Sequence, residues 1–232
     1  MFSITLILSN QAIGFSVIAT IVILVITLSY LFSKKQRVLR ALKKFKFKEI
    51  TQFRTNELTK VTGKVLHVHE PFVAPYSKRK CVAYEFLIQQ KKSTGKSSYW
   101  KTLVEEHNIQ DFFIEKRGEV AMIKPQKNPD NFKIFMVEDQ SVSSGTFNDP
   151  TPEFLKVLND FNIESTSLFG FNKRLRYSER IIEVGETITV GGIAKIKQID
   201  TKIENFNYSQ IAVLESSNTQ KIIITDLSLI HI

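Results

Sequence analysis

Cysteine is nearly absent from this sequence: Cys81 is the only one among 232 residues. A single thiol cannot form an internal disulfide, so the fold does not depend on the cross-links that stabilise many small secreted domains. The same scarcity excludes any metal site built from several thiolates. These exclusions fit a protein of a reducing compartment such as the cytoplasm.

Glycine and proline are also scarce, with nine and six residues, and no repeat or low-complexity tract is visible. Hydrophobic residues make up 43% of the chain and include 18 Phe, which predicts a packed core rather than disorder. The length leaves room for one good-sized domain or two small ones beside a membrane anchor.

Long apolar runs are limited to one, which extends from Ala12 to Phe32 without Asp, Glu, Lys, Arg or Pro. About 20 helical residues at ~1.5 Å each span the ~30 Å hydrocarbon core of a bilayer. Tyr30 stands near the end of the run, where an amphipathic ring prefers the membrane interface. We predict a retained single-pass anchor over residues 1–33. A cleaved signal peptide fits less well, because a basic n-region and a small-residue cleavage site are missing.

Positive charge is concentrated directly after this run. Residues 34–54 contain nine basic side chains and only Glu49 as an acid, so 9 − 1 = +8 of the formal net charge of +9 lies here. A juxtamembrane basic cluster is typical of a cytoplasmic flank that touches anionic headgroups. By the positive-inside rule the N-terminus lies outside and the larger C-terminal part in the cytoplasm, as for a bacterial inner-membrane protein. The predicted membrane-surface residues are Lys34, Lys35, Arg37, Arg40, Lys43, Lys44, Lys46 and Lys48.

The basic segment, residues 34–57, predicts an amphipathic helix from Lys34 to about Phe53. Val38, Leu42 and Phe45 recur at helical spacing with Lys and Arg between them. Its apolar face could lie in the headgroup region or pack on the domain that follows, and the sequence does not separate the two.

From Leu58 onward the apolar period changes to two, which predicts a β-rich soluble domain over residues 58–232. Strand patterns occur in five segments: KVLHVHEPFV, CVAYEFLIQQ, YWKTLVEEH, DFFIEKRGEVAMIKP and NFKIFMVEDQ. The last of these follows a predicted turn at Asn128-Pro129-Asp130. IAVLESSNTQKIIITDL predicts a closing hairpin, and Gly191-Gly192 a break within a strand. The expected class is mainly β, a small barrel or sandwich with one or two helices. One helix is signalled by Thr151 as N-cap before Pro152, and should run to about Phe161.

Two sets of residues resemble the BAM or GIDE ("beside a membrane") domain family, known from membrane-anchored RING ubiquitin ligases and from prokaryotic proteins. Its G-x-V, P-x-S and C-V-x-Y elements have counterparts in Gly63-Lys64-Val65, Pro75-Tyr76-Ser77 and Cys81-Val82-Ala83-Tyr84. Its R-x-x-E, G-(D/E) and V-x-G elements have counterparts in Arg176 with Glu179, Gly185-Glu186 and Val190 with Gly192. The segment from Phe113 to Val120, with Gly118, resembles the part between, although Glu115 stands where the family often has Asp.

The resemblance implies a membrane-adjacent domain in which these motif residues are structural. It does not extend to the RING, because eight Cys/His ligands are needed and the chain has one Cys and four His. The chain also lacks the second transmembrane helix of the mitochondrial members. Ubiquitin-ligase activity is therefore not expected.

Four other patterns carry less information. The G-K-S of KSTGKSS has Gln90 where a P-loop needs Gly, and it joins two predicted strands, so it indicates a hairpin. His67 and His69, two apart on a predicted strand with Glu70 beside them, could hold zinc or iron but lack a third ligand. Cys81 could be reactive beside three basic residues, although a packed core thiol fits its strand better. A nucleic-acid-binding OB-like barrel ranks third, because the domain is close to neutral.

These patterns together predict a membrane-anchored, non-enzymatic binding or scaffold protein with no cofactor. Its expected partners are anionic lipid headgroups and an unidentified protein, not nucleic acid. The alternative is an enzyme of unrecognised type with a His/carboxylate metal site.

Overall fold

The computed structural model describes residues 10–125, 132–167, 170–198 and 210–227, with side chains from residue 15 onward. The helices are α1 (Asn10–Leu31), α2 (Lys34–Leu42) and α3 (Pro152–Asp160), with a 3-10 turn at Ile50–Gln52. The strands are β1 (Lys46–Phe47), β2 (Glu57–His67), β3 (Phe72–Val73), β4 (Lys80–Ser93), β5 (Ser98–Ile109), β6 (Phe112–Lys116), β7 (Glu119–Lys124), β8 (Phe132–Phe135), β9 (Gln140–Ser143), β10 (Leu175–Glu183), β11 (Thr187–Gln198), β12 (Gln210–Glu215) and β13 (Ile222–Thr225). The prediction of a mainly β protein is confirmed. The Asn128-Pro129-Asp130 turn lies outside the described residues.

Five strands close into a barrel. β2 pairs with β6, β6 with β7, β7 with β12, β12 with β11, and β11 returns to β2. All of these pairs are antiparallel except β7 with β12, which run parallel. Alternate residues of each strand point inward, so Val65, Ile114 and Leu214 are fully buried in a shared core. This connectivity resembles the five-stranded Greek-key barrel of OB-folds.

The predicted closing hairpin is wrong, because β12 and β13 do not pair with each other. β12 pairs with residues 193–198 of β11, and β13 pairs with residues 189–191 of the same strand. After the turn at Ser217 the chain therefore continues along the same edge of β11, and it does not fold back to pair with β12. Parallel pairing of β12 with β7, which closes the barrel, decides this arrangement.

Five further strands form a second sheet, inserted between barrel strands, while β1, β8 and β13 extend the barrel sheet. β4 is central, with β10 on one edge and β3 and β5 along the other, and β9 extends the sheet beyond β10. α3 covers one face of this sheet with Phe154, Val157 and Leu158, which pack against a cluster that includes Phe86 and Tyr177. The predicted N-cap is confirmed, since Thr151 Oγ1 accepts the Phe154 N–H at 3.2 Å.

The predicted helix from Lys34 to Phe53 is wrong beyond Leu42. The residues after Leu42 alternate Phe and Lys, and Lys46–Phe47 form a short parallel strand beside β2. Ile50 and Phe53 enter the barrel core. Because this segment has period-two spacing and lies beside an open edge of β2, it pairs as a strand and does not continue the helix.

α2 packs with its apolar face on the outside of the barrel. Val38, Leu42 and Phe45 are 7, 2 and 3% exposed and form a cluster with Ile223 of β13. Gly191 allows this approach, because a Cβ there would lie 3.0 Å from Leu42 Cδ2. β11 extends from Thr187 to Gln198 without a break at Gly191-Gly192, so the predicted strand break is wrong. Of the two uses expected for this apolar face, the structure shows packing on the domain.

Candidate functional site

α1 exposes all of its described apolar side chains. Exposed fractions range from 43% for Leu28 to 74% for Phe15, and Tyr30 is 62% exposed. Thr20 and Thr27 donate their hydroxyls to the carbonyls of Ser16 and Ile23, so these polar groups are satisfied within the helix. The helix thus presents an apolar surface on every side.

The junction between α1 and α2 is closed by two arginines. Arg37 Nε donates to Phe32 O at 2.9 Å, and an Arg40 guanidinium N–H donates to Leu31 O at 2.8 Å. The last carbonyls of a helix lack partners within it, and cations there are favoured by the helix dipole. The two arginines therefore satisfy the end of α1 and fix the direction in which α2 leaves it.

Most of the predicted membrane-surface side chains are exposed around this junction. Lys48 differs, because it is partly buried and forms an ion pair with Glu57 at 2.5 Å. The exposed ones are Lys34, Lys35, Arg37, Arg40, Lys43, Lys44 and Lys46. Seven cations therefore lie within a short stretch that directly follows the apolar helix.

No single helix in the described part of the chain reaches the length and apolarity of a membrane span. Phe15–Leu31 and Lys34–Leu42, taken as one segment bent by 51°, do so by length and composition only.

The two distant halves of the family-like pattern meet in the second sheet. Glu179 is fully buried, and its carboxylate accepts the N–H of Tyr76 at 2.9 Å, the N–H of Ser77 at 3.2 Å and the Tyr177 hydroxyl at 2.8 Å. The P-x-S loop after Pro75 is thereby held against the R-x-x-E strand across about a hundred residues of sequence. Burial and the Glu179 charge raise the pKa of Tyr177, so this hydroxyl stays a donor.

A second contact joins the G-x-V and G-E elements. Gly185 donates its N–H to Val65 O at 2.8 Å, and Val65 donates to Glu186 O at 2.8 Å. Gly185 has φ +94°, a conformation that favours glycine. A Cβ on Gly63 would lie 2.5 Å from Glu115 O, so only glycine fits where β2 crosses β6. Gly192 is less crowded, since a Cβ there would lie 3.2 Å from Glu215 O.

Glu115, the departure from the family pattern, has a local role. Its carboxylate accepts the Gly118 N–H at 2.7 Å in the two-residue turn between β6 and β7. Arg117 and Gly118 both have positive φ, as a type I′ hairpin turn requires. A glutamate therefore serves this turn through its side chain.

Neither neighbouring arginine of β10 pairs with Glu179. Arg176 donates to Gln89 Oε1 at 2.7 Å and stacks on Trp100 at 4.1 Å, and Arg180 pairs with Glu85 at 2.8 Å. Successive residues of a strand alternate between its two faces, so both arginines lie on the side opposite to Glu179.

Cys81 is a packed thiol, as its strand position predicts. It is fully buried beside Ala74 and Ile181, and burial together with the charge of Glu179 raises its pKa to about 12. The thiolate needed for nucleophilic or redox chemistry is therefore scarce at neutral pH.

Tyr84 donates its hydroxyl to Glu106 Oε1 at 2.5 Å and accepts from Asn108 at 2.6 Å. Its pKa is raised to about 12 by burial and by Glu106.

The histidine pair does not lie on one strand, contrary to its predicted placement. β2 ends at His67, and His67 Nδ1 lies 3.1 Å from the backbone oxygen of His69. His67, His69 and Glu70 are exposed. Within residues 10–125, 132–167, 170–198 and 210–227, no group of three His, Cys, Asp or Glu is arranged to hold a metal ion.

The G-K-S segment is a hairpin loop, as predicted. Thr94 donates its N–H to Ser97 O at 2.9 Å between β4 and β5, and Gly95 has φ +84°. A P-loop leads from a strand into a helix. This loop joins two strands of one sheet.

In the OB-like barrel, β6 and β7 are the strands that correspond to the usual binding face of this fold. Their outward side chains Phe113 and Val120 are 4 and 3% exposed and pack with Ile211 and Val213 of β12. Single-strand binding needs exposed aromatic and basic side chains instead.

An acidic network, which the sequence patterns do not indicate, surrounds the β10–β11 turn. Arg79 pairs with Asp139 at 2.8 Å and with Glu183 at 3.0 Å, and Asp139 also accepts the Ile181 N–H at 2.9 Å. Burial, together with Asp226 and Asp139 nearby, raises the pKa of Glu186 to about 7. Asp139 carries no motif signal, since only the folding of β9 beside β10 brings it here.

A groove of about 380 Å³ lies between α2, β5 and β8. Apolar side chains of all three elements line it, together with Lys34, Arg37, His107 and Lys133. The groove therefore combines an apolar lining with several cations.

Comparison of the chain with protein-family models, with curated proteins and with solved structures gives no match. The BAM/GIDE resemblance therefore stands on the motif residues alone.

Proposed function

We propose that this chain is a membrane-anchored, non-enzymatic binding or scaffold protein whose β domain stands at the membrane surface. One observation carries the proposal: α1 exposes apolar side chains all round, and α2 docks on the barrel directly after it. Exposure of such a helix to water costs about 25 cal/mol per Å² of apolar surface. Burial of the helix in lipid removes that cost. The short junction then holds the domain close to the bilayer.

The cations at the junction support the orientation. Exposed Lys and Arg beside an anionic leaflet contribute about 1 kcal/mol each. In this arrangement the N-terminus is outside and the domain is in the cytoplasm of a bacterial cell. Because α2 buries its apolar face against the barrel, contact with the headgroups is made by charge, not by insertion of α2.

We further propose that the domain is a RING-less BAM/GIDE-type module that recruits a protein partner. The contacts of Glu179 with the Tyr76–Ser77 loop and of Gly185 with Val65 support it, because motif elements distant in sequence stabilise one another. The chain has too few Cys and His for a RING, which argues against ligase activity.

Carbonate extraction of membranes from cells that express the full chain tests the anchor. We expect the protein to remain in the membrane pellet, and the variant Val22→Lys/Ile26→Lys to move to the supernatant. Each lysine at the centre of a span costs about 2.5–3.5 kcal/mol on insertion scales. Phe147→Lys is the matched control, because Phe147 is 99% exposed but lies far from α1 in sequence. Extraction of the unmodified chain by carbonate would contradict the proposal.

A further inference from the structure

The groove between α2, β5 and β8 has the dimensions of a ligand site. Its volume of about 380 Å³ lies within the ~300–1,000 Å³ typical of small-molecule sites. Val38 and Met136 are its most buried lining side chains, at 7 and 6% exposure, and Ile109 and Ile134 are half-buried beside them. An apolar chain could therefore lie against four aliphatic or thioether side chains.

The rim of the groove carries uncompensated positive charge. Lys34, Arg37 and Lys133 line it, and none of them forms an ion pair within the described residues. The one acidic side chain in the lining, Glu85, is already paired with Arg180 at 2.8 Å. An anionic group at this rim would gain charge-assisted hydrogen bonds without breaking an existing ion pair.

The groove is also close to the end of the apolar helix. Lys34 follows Leu31, the last residue of α1, by three positions, so the two Cα atoms are separated by at most roughly 11 Å. If α1 lies in a bilayer, this rim is near the headgroups, where phosphates and acyl chains are both within reach.

We propose that the groove binds one anionic phospholipid. Lys34, Arg37 and Lys133 hold the phosphate, and an acyl chain lies against Ile109, Ile134 and Met136. This inference rests on the proposed membrane anchoring and extends it, because it gives the domain a specific lipid ligand beyond general attraction of the basic segment.

The test uses the full chain reconstituted into vesicles that contain phosphatidylglycerol with a photoreactive diazirine in its acyl chain. After irradiation, the labelled peptides are mapped by mass spectrometry. We expect label on β5 near Ile109 and on β8 near Ile134, in addition to label on α1. A phosphatidylcholine probe should label α1 equally and the groove much less.

Charge reversal at the rim gives the matched comparison. Lys133→Glu should lower labelling of β5 and β8 about tenfold, because one charge-assisted contact is lost. Lys101→Glu is the control, since Lys101 is an exposed β5 residue outside the groove, and it should leave labelling unchanged. Both variants keep the basic segment intact, so label on α1 should be the same in each.

The outcomes separate the two proposals. Label confined to α1, or equal groove labelling in Lys133→Glu and the unmodified chain, would overturn the lipid site and leave the anchor intact. Absence of label on α1, with the protein recovered free of vesicles, would instead overturn the proposed function and with it the lipid site.

Discussion

At the scale of single residues, buried charge is the feature with the largest consequences. Glu179 is a fully buried carboxylate that has two backbone N–H donors and one hydroxyl donor. Hydrogen bonds to a charged acceptor contribute about 1.5–3 kcal/mol each, and burial without them would be costly. The cluster therefore stabilises the junction of β10 with the loop after β3.

Replacement of Glu179 by Gln tests this role. The amide nitrogen cannot accept a hydrogen bond, so one backbone donor loses its partner, and the free energy of unfolding should fall by about 2–4 kcal/mol. Glu105→Gln, at an exposed position of β5, should change it by less than about 0.5 kcal/mol. Denaturant unfolding of the full chain in detergent measures both, and equal midpoints would contradict the assignment.

Glu186 predicts a pH dependence of stability. Burial and nearby carboxylates raise its folded-state pKa from 4.5 to about 7. The folded state then binds the proton more tightly than the unfolded state, so this contribution is present below about pH 4.5 and is lost as pH rises through about 7.

Glu186→Gln should remove the loss of stability that ionisation of Glu186 causes as the pH rises. The variant and the unmodified chain should be equally stable at pH 5, and the variant should be more stable by about 1–2 kcal/mol at pH 8, after allowance for solvent screening of a partly exposed group. Unfolding midpoints at the two pH values give the comparison. A difference that does not grow with pH would argue against the raised pKa.

At the scale of elements, the barrel depends on close approach of β2 and β6. Gly63 lies at this contact, where a Cβ would lie 2.5 Å from both Glu115 O and Ile114 Cγ2. Backbone atoms cannot turn aside as a flexible side chain can, so a larger residue must separate the strands.

Gly63→Ala should therefore lower the free energy of unfolding by about 1–3 kcal/mol, the usual cost of overpacking. Gly145→Ala is the matched control, because nothing lies within 4 Å of its added Cβ and its φ is not positive. Thermal unfolding of the two variants tests the difference. A Gly63 variant as stable as the control would show that β2 and β6 can move apart freely.

At the scale of the whole molecule, the net positive charge is concentrated in one segment of the chain. Residues 34–54 carry +8 of the net +9, directly after a helix with an apolar surface. The rest of the chain is nearly neutral, which fits a domain positioned by its basic flank rather than one that binds a polyanion over its surface.

Together with the proposed anchor, this charge distribution predicts a topology. Protease treatment of right-side-out spheroplasts should spare a C-terminal tag until lysis, because the basic flank keeps the domain in the cytoplasm. Reversal of Lys43, Lys44 and Lys46 to Glu should weaken that bias. Immediate loss of the tag from intact spheroplasts would place the domain outside and overturn the charge argument.

The sequence by itself determined what depends on neighbouring residues: the apolar run, the basic flank, the β class, the α3 cap at Thr151 and the hairpins at Gly95 and Gly118. Each follows from periodicity or local backbone preference. The tertiary structure alone decided the end of α2 at Leu42, the separation of β12 from β13 and the contact of Glu179 with Ser77. These depend on which strands meet across distant parts of the chain, and local patterns do not encode that choice.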